Sequence, residues 1–223
     1  DDFRHIPPDW VHDQWLYSPE YPIGETTGRI TGLTLTAAEM MQLPRDVVRQ
    51  RLLDLAVFLQ QEYAIELLQL GALTTSVTSG GMWFTQQEEY TGFLNHGDSY
   101  TAAVVCQTVE KALAILDKDA ADLTLTIVGA YGVIGEAVSK LLVPRFQHAM
   151  LIGPRKGKLK QLEGDLHEDV ELSTMLRTNS ADVVVTATNH PSALLSTADL
   201  KQGAIVVDVA QPPNVAFEVC MQR

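Results

Sequence analysis

Gly129, Gly132 and Gly135 recur every third residue in the run Gly129-Ala130-Tyr131-Gly132-Val133-Ile134-Gly135. A β-rich stretch, Asp122 to Val128, leads into them, and Glu136 to Leu142 continues as a helix. Strand, glycine turn and helix together form the setting of a dinucleotide fingerprint. The first glycine permits the tight turn. The second lets a pyrophosphate reach backbone N–H groups at the helix N-terminus, and the third lets the helix pack closely on the strand. The spacing G-x-x-G-x-x-G is a variant of G-x-G-x-x-G. Gly129, Tyr131, Gly132, Val133, Ile134 and Gly135 are the candidate cofactor contacts.

The next strand, His148 to Ile152, ends in Gly153-Pro154-Arg155-Lys156-Gly157-Lys158. An NAD-selective site carries an acid about 20 residues after the glycines, which holds the ribose 2′-hydroxyl. Here cations stand in its place. A guanidinium forks onto a 2′-phosphate that a carboxylate would repel. Arg155 and Lys156 therefore predict NADP as the cofactor; the alternative reading makes them solvated charges that begin the next helix.

Further apolar runs follow: Asp169 to Leu172, Asp182 to Thr188, and Ala204 to Val209. Continuous apolar strands separated by helices imply a parallel sheet covered on both faces. Ligands of such sheets bind at the carboxyl ends of the strands. This marks Thr186, Ala187 and Thr188, and next to them Asp208 and Val209, as cofactor-side residues. Asp208 also suits a loop-capping carboxylate. His190, between Asn189 and Pro191, reads as a surface-turn histidine that a nicotinamide could approach.

These residues need a scaffold, and the rest of the chain supplies one. It has 223 residues, with 46% hydrophobic and 20% charged, a globular composition. Sixteen Lys+Arg against 28 Asp+Glu give a net charge of −12. Such an acidic chain does not suit nucleic-acid backbones or an anionic membrane face. No apolar run approaches the ~20 residues of a membrane span. Two cysteines make no disulfide framework, so a reducing, cytoplasmic interior is expected. The opening Asp1-Asp2-Phe3 carries neither Met nor a signal peptide, and a fragment of a longer polypeptide is expected. The histidines and cysteines show no metal-ligand spacing, and no G-x-S-x-G elbow is present.

Turn signals and aromatic residues fill the first part of the chain, which reads as an irregular lid with a strand at 29–35. Pro44 opens a long helix whose apolar stripe runs Val48, Leu52, Leu55, Leu59, Tyr63 and Leu67, with Gly71 as its stop. The hydroxyl-rich 71–81 segment reads as a short buried strand entering a glycine turn. Its Thr74, Thr75 and Ser76 either satisfy local backbone or face a substrate. Asp98 or Ser99 caps a further helix with Val105, Val109, Leu113 and Leu116 on its apolar face and Cys106 as a buried structural thiol. The fold class expected is α/β: a Rossmann-type doubly wound parallel sheet over 121–223, with a smaller N-terminal α+β substrate or lid domain over 1–120.

Three segments in sequence resemble the long-chain acyl-[acyl-carrier-protein] reductases of the aldehyde-forming type: Gly71-Ala72-Leu73-Thr74-Thr75-Ser76, Gly97-Asp98-Ser99-Tyr100-Thr101-Ala102, and Ile127 to Gly135. The run Thr31 to Leu52 is similar to the same family. The resemblance implies NADPH-dependent reduction of a fatty acyl thioester, carried on acyl carrier protein or coenzyme A, to an aldehyde. It implies a first domain enclosing the acyl chain, with Asp98 and Ser99 near the chemistry and Thr74 or Ser99 facing the oxyanion. The family has Asn where this chain has Asp98. Its acyl-accepting cysteine lies downstream of the dinucleotide domain; this sequence ends before that segment, and neither Cys106 nor Cys220 matches it. The rival expectations are an oxidoreductase of the shikimate or amino-acid dehydrogenase kind, acting on a small polar carbonyl, and a non-catalytic NADP-binding module.

Overall fold

The computed structural model describes residues 6–12, 14–210 and 212–222; the opening Asp1-Asp2-Phe3 lies outside them. The chain forms two compact units, Asp1–His96 and Gly97–Arg223. The division therefore falls ahead of the boundary expected near 120, because the helix after His96 packs on the second unit's sheet.

The first unit begins with four short strands, β1 (Trp15–Tyr17), β2 (Tyr21–Ile23), β3 (Thr26–Gly28) and β4 (Thr31–Leu33). They pair antiparallel as β1–β4 and β2–β3. Trp15 and Tyr17 anchor this region by ring contacts with Phe58 and Tyr63, at 5.3 and 5.6 Å between centroids. Helix α1 (Ala37–Gln42) starts at a reciprocal cap between Thr36 and Glu39. Helix α2 (Arg45–Tyr63) buries Val48, Leu52, Leu53, Leu55, Ala56 and Leu59.

Helix α2 ends well before Gly71. Ala64 turns left-handed at φ 51° and donates its N–H to the Leu59 carbonyl. Leu67 then belongs to β5 (Leu67–Gln69) instead of the helical stripe. The expected strand at 71–81 is also replaced, by helix α3 (Leu73–Val77) and the turns after it. The hydroxyls explain this. Thr74 Oγ1 donates to the Gly71 carbonyl at 2.6 Å and accepts the Gly71 N–H at 3.0 Å. Thr78 Oγ1 donates to the Thr74 carbonyl at 2.7 Å. Each closes a short ring with nearby backbone, which competes with a strand ladder. Strand β6 (Phe93–Asn95) pairs parallel with β5.

The second unit opens with α4 (Asp98–Ile115). Its N-cap is Gly97, at φ 70°, instead of Asp98 or Ser99; the left-handed backbone there favours glycine. The sheet elements follow as β7 (Thr124–Val128), α5 (Val133–Leu142), β8 (His148–Ile152), α6 (Lys156–Leu166), β9 (Glu171–Ser173), β10 (Val183–Thr186) and β11 (Ile205–Asp208), then α7 (Phe217–Gln222). All five strands are parallel, in the order β11-β10-β7-β8-β9. From β9 across, that order is third, second, first, fourth, fifth, the arrangement of the dinucleotide-binding half-fold. The chain reverses direction of growth between β7 and β10.

Alternate residues of the strands feed opposite faces. Leu125, Ile127, Ala149, Leu151, Val183 and Val185 pack with α4, α5 and α6. Val128, Met150, Ile152 and Val184 face the other way, onto Ala181, Leu195, Leu200 and Val219. That second face is roofed by irregular chain and the short α7, since no α-helix lies between β9 and β11. Among the described residues no helix is long and apolar enough to cross a membrane.

Candidate functional site

The glycine turn sits at the carboxyl end of the central strand β7. Gly129, at φ 84°, faces the neighbouring strand's exit: a Cβ there would come within 2.5 Å of the Ala187 carbonyl oxygen. The turn closes through Gly132 N–H to Gly129 O at 2.9 Å, and the Gly129 and Ala130 N–H groups both donate to the Ile152 carbonyl. Gly132 is the N-cap of α5 and offers no side-chain cap. The first intrahelical bond is Glu136 N–H to Gly132 O. The N–H groups of Val133, Ile134 and Gly135 therefore have no acceptor among the described residues. Together with the helix dipole they favour an anion at this point. With no side-chain cap on them, these N–H groups fit a pyrophosphate group.

Arg155 and Lys156 flank this turn at the end of β8. Arg155 is the N-cap of α6, Lys156 its first residue, and both side chains are exposed. They begin the helix, as one reading expected, yet Arg155 is also oriented. Its N–H donates to Tyr131 Oη at 3.2 Å and its guanidinium lies 5.6 Å from the Tyr131 ring centroid.

On the other side of the turn, Thr186 ends β10 and is fully buried. Its hydroxyl donates to Asp208 Oδ1 at 2.6 Å. Asp208 also accepts from the N–H groups of Ala210, Asn214 and Val215 at 3.0, 2.8 and 2.9 Å. Both of its oxygens are thus engaged in holding the loop after β11. Thr188 donates its hydroxyl to Asn214 Oδ1 and accepts the His190 N–H at 3.1 Å. His190 is exposed, with Nδ1 at 3.0 Å from the Ser192 carbonyl. The 186–190 segment, pressed against Gly129, is therefore pinned by Asp208 and Asn214.

The start of α4 reaches the same end of the sheet. Tyr100, Thr101, Val104, Val105 and Thr108 form a shallow groove of about 180 Å³ with Val207 and Val209. Val209 donates its N–H to the Thr186 carbonyl. The structure thus brings Val209, Thr186 and the first turns of α4 together. Asp98 is half-buried and Ser99 exposed in the opening turn of that helix. A larger concavity of about 350 Å³ lies at the opposite end of the sheet, around the Glu110–Arg145 ion pair. Thr74, Thr75 and Ser76 sit on α3 in the first unit, where the Thr74 hydroxyl is occupied by Gly71. Cys106 is buried in α4, and burial, then Glu110, push its thiol pKa up, against a smaller opposing pull from Arg145. No group of three or more His, Cys, Asp or Glu that could hold a metal occurs among the described residues.

A family model for shikimate/quinate 5-dehydrogenase matches residues 110–222, just over half of the chain. The chain belongs to the shikimate/quinate 5-dehydrogenase family. The matched span runs from the end of α4 through α7, so the glycine turn, Arg155 and the Asp208 network all lie within the part of the chain that carries the family match. The resemblance to acyl-carrier-protein reductases is also present. The long-chain acyl-[acyl-carrier-protein] reductase of Synechococcus elongatus is 30% identical over 126 residues, 55% of this chain and 37% of that protein. The chain spans little more than a third of that relative's length.

Solved structures overlap more loosely. The nucleotide-binding domain of glutamyl-tRNA reductase from Thermoplasma volcanium has a TM-score of 0.41 at 17% identity, covering 52% of this chain and 78% of that one. L-tryptophan dehydrogenase from Nostoc punctiforme has a TM-score of 0.48 at 12% identity, covering 86% of this chain and 54% of that one. The fold assignment rests on the sheet order and on the family match.

Asn214 is the residue of this family member that sequence reading misses. It is fully buried, takes the Leu194 and Leu195 N–H groups on its carbonyl, and meets Thr188 through its side chain. Its one sequence signal is a polar residue behind Pro212-Pro213, which ordinarily marks an exposed turn.

Proposed function

We propose that the protein reduces a fatty acyl thioester to a fatty aldehyde with NADPH, the second unit holding the cofactor and the first serving the acyl group. The observation that carries this reading is the 30% identity to the Synechococcus elongatus acyl-carrier-protein reductase over 55% of the chain. NADPH, when bound, supplies the hydride. The N–H groups of Val133, Ile134 and Gly135 bind the pyrophosphate, with Gly132 leaving them open. Arg155, aided by Lys156, pairs with the 2′-phosphate. Thr186, Ala187, Thr188 and Val209 border the nicotinamide half at the strand ends. Asp208 holds that border in place through Thr186 and the loop amides. Ser99, exposed at the start of α4, is a hydroxyl available to a developing oxyanion. Cys106 is unsuited to accept an acyl group, since burial keeps it a thiol.

One finding favours a second reading. The shikimate/quinate 5-dehydrogenase match suits a small polar hydroxy acid or keto acid, although it covers chiefly the cofactor half. The complete protein should be assayed for NADPH oxidation with long-chain acyl-carrier and acyl-coenzyme A thioesters, with free aldehyde measured directly. Aldehyde formation supports the first reading. Turnover of a polar hydroxy acid with inert thioesters establishes the second and overturns the first.

A further inference from the structure

Tyr131 joins the glycine turn to the basic loop after β8. Its ring lies against Gly153 so closely that a Cβ there would overlap Cε1 and come within 3.0 Å of Cδ1. Only a residue without a side chain admits the ring. Its Oη accepts the Arg155 N–H at 3.2 Å, and the Arg155 guanidinium stands 5.6 Å from the ring centroid, within cation–π reach. One side chain thus holds both the backbone and the charged end of Arg155. A phenol both accepts and donates. The acceptor side of Tyr131 Oη is used by Arg155, while its proton has no acceptor among the described residues.

We infer that Tyr131 is a specificity-determining residue for an adenosine 2′-phosphate: its hydroxyl donates to that phosphate while its ring and oxygen hold Arg155 beside the same group. The inference rests on the NADPH reading above and deepens it. Oη then contributes to NADP(H) alone. The ring, which fills the space over Gly153, contributes to either dinucleotide. Sequence spacing offers no hint of the pairing, because Tyr131 and Arg155 meet only through the close approach of β7 and β8.

The test uses wild type, Tyr131→Phe, Arg155→Ala and the double variant, each titrated with NADPH and NADH and with adenosine 2′,5′-bisphosphate against AMP. Tyr131→Phe keeps the ring and its seat on Gly153. It should raise the NADPH Kd about tenfold and change the NADH Kd by less than about twofold, as a lost hydrogen bond to a charged group does. The bisphosphate should follow NADPH, and AMP should follow NADH. The two single effects should combine to less than their product, since both act on one phosphate. Equal weakening of both dinucleotides would make Tyr131 structural support and overturn the inference. So would an unchanged NADPH affinity in Tyr131→Phe when Arg155→Ala loses it. A wild type without NADPH preference, or an Arg155→Ala variant without effect, would remove the cofactor reading itself, and the inference with it.

Discussion

Gly135 packs directly on the carbonyl oxygen of Gly129: a Cβ at position 135 would come within 2.2 Å of that oxygen, far closer than van der Waals contact allows. The obstacle is backbone, held by the Gly132 N–H, so it cannot rotate away. At Gly132 the same test leaves 3.3 Å to Gly129 O, with φ at an ordinary −69°. Gly135→Ala should therefore cost about 1–3 kcal/mol by overpacking, whereas Gly132→Ala should cost under about 1 kcal/mol. Urea unfolding of the two variants measures this; equal midpoints would mean that α5 shifts to admit the methyl group.

Gly132→Asp separates binding from folding. The added carboxylate would occupy the space before the Ile134 and Gly135 N–H groups and cap them itself. Dinucleotide binding should vanish by calorimetry while the melting profile stays near wild type. Retained binding would place the phosphates elsewhere.

Asn214→Ala removes the acceptor of the Thr188 hydroxyl in a fully buried position. Its own backbone bonds remain. The loss should be about 1–3 kcal/mol, and dinucleotide affinity should fall with it, because the 187–190 segment rests on Gly129. Thermal unfolding with and without NADPH distinguishes the two effects. A stable variant with normal affinity would show that the backbone alone holds the loop.

Cys106 is buried and Cys220 exposed. With its thiol pushed up by burial, Cys106 should resist a thiolate-selective reagent in the native protein, leaving Cys220 as the single fast site. Both should react in denaturant. Fast native labelling of Cys106 in a Cys220→Ser variant would contradict the packing of α4.

Asp182 links the starts of β10 and β7. Burial raises its carboxyl pKa, but the Lys201 ammonium, the Thr124 N–H and Lys118 together outweigh this and hold it below the ordinary 3.8. The unfolded chain therefore takes up this proton first on acidification. The stabilisation is complete above the ordinary value and is lost as pH falls through the lower folded one. Asp182→Asn should cost roughly 1 kcal/mol at neutral pH, and its melting temperature should converge on the wild type in strong acid. A pH-independent difference would show that the charge is not involved.

The second unit is largely legible in the amino-acid sequence, for a physical reason. Strands buried on both faces read as unbroken apolar runs such as Val183-Val184-Val185, and the glycine turn marks the central one. What escapes reading depends on backbone geometry that composition does not encode. Ala64 ends α2 in a left-handed conformation that alanine seldom adopts, so Gly71 looks the better stop. Thr74 and Thr78 read as β-formers until their hydroxyls find local carbonyls. In the site, the glycines and Arg155 stand out by type. Tyr131 and Asn214 act through partners remote in sequence, Arg155 in one case and Thr188 and His190 in the other.

The irregular roof over the second sheet face is held by its buried Leu195 and Leu200 and by bonds outside the sheet. Asn214 O takes the Leu194 and Leu195 N–H groups, Leu195 bridges Val215, and Thr178 Oγ1 donates to the Asp199 carbonyl. Lifting residues 194–200 breaks these ties yet leaves every pairing among β7, β8 and β10 in place. Amides in that segment should thus exchange with solvent through a low-energy local opening, while those of β7 wait for global unfolding. Each opening uncovers the part of the Val128, Met150, Ile152 and Val184 face that Leu195 and Leu200 cover, an apolar surface of the kind from which self-association starts.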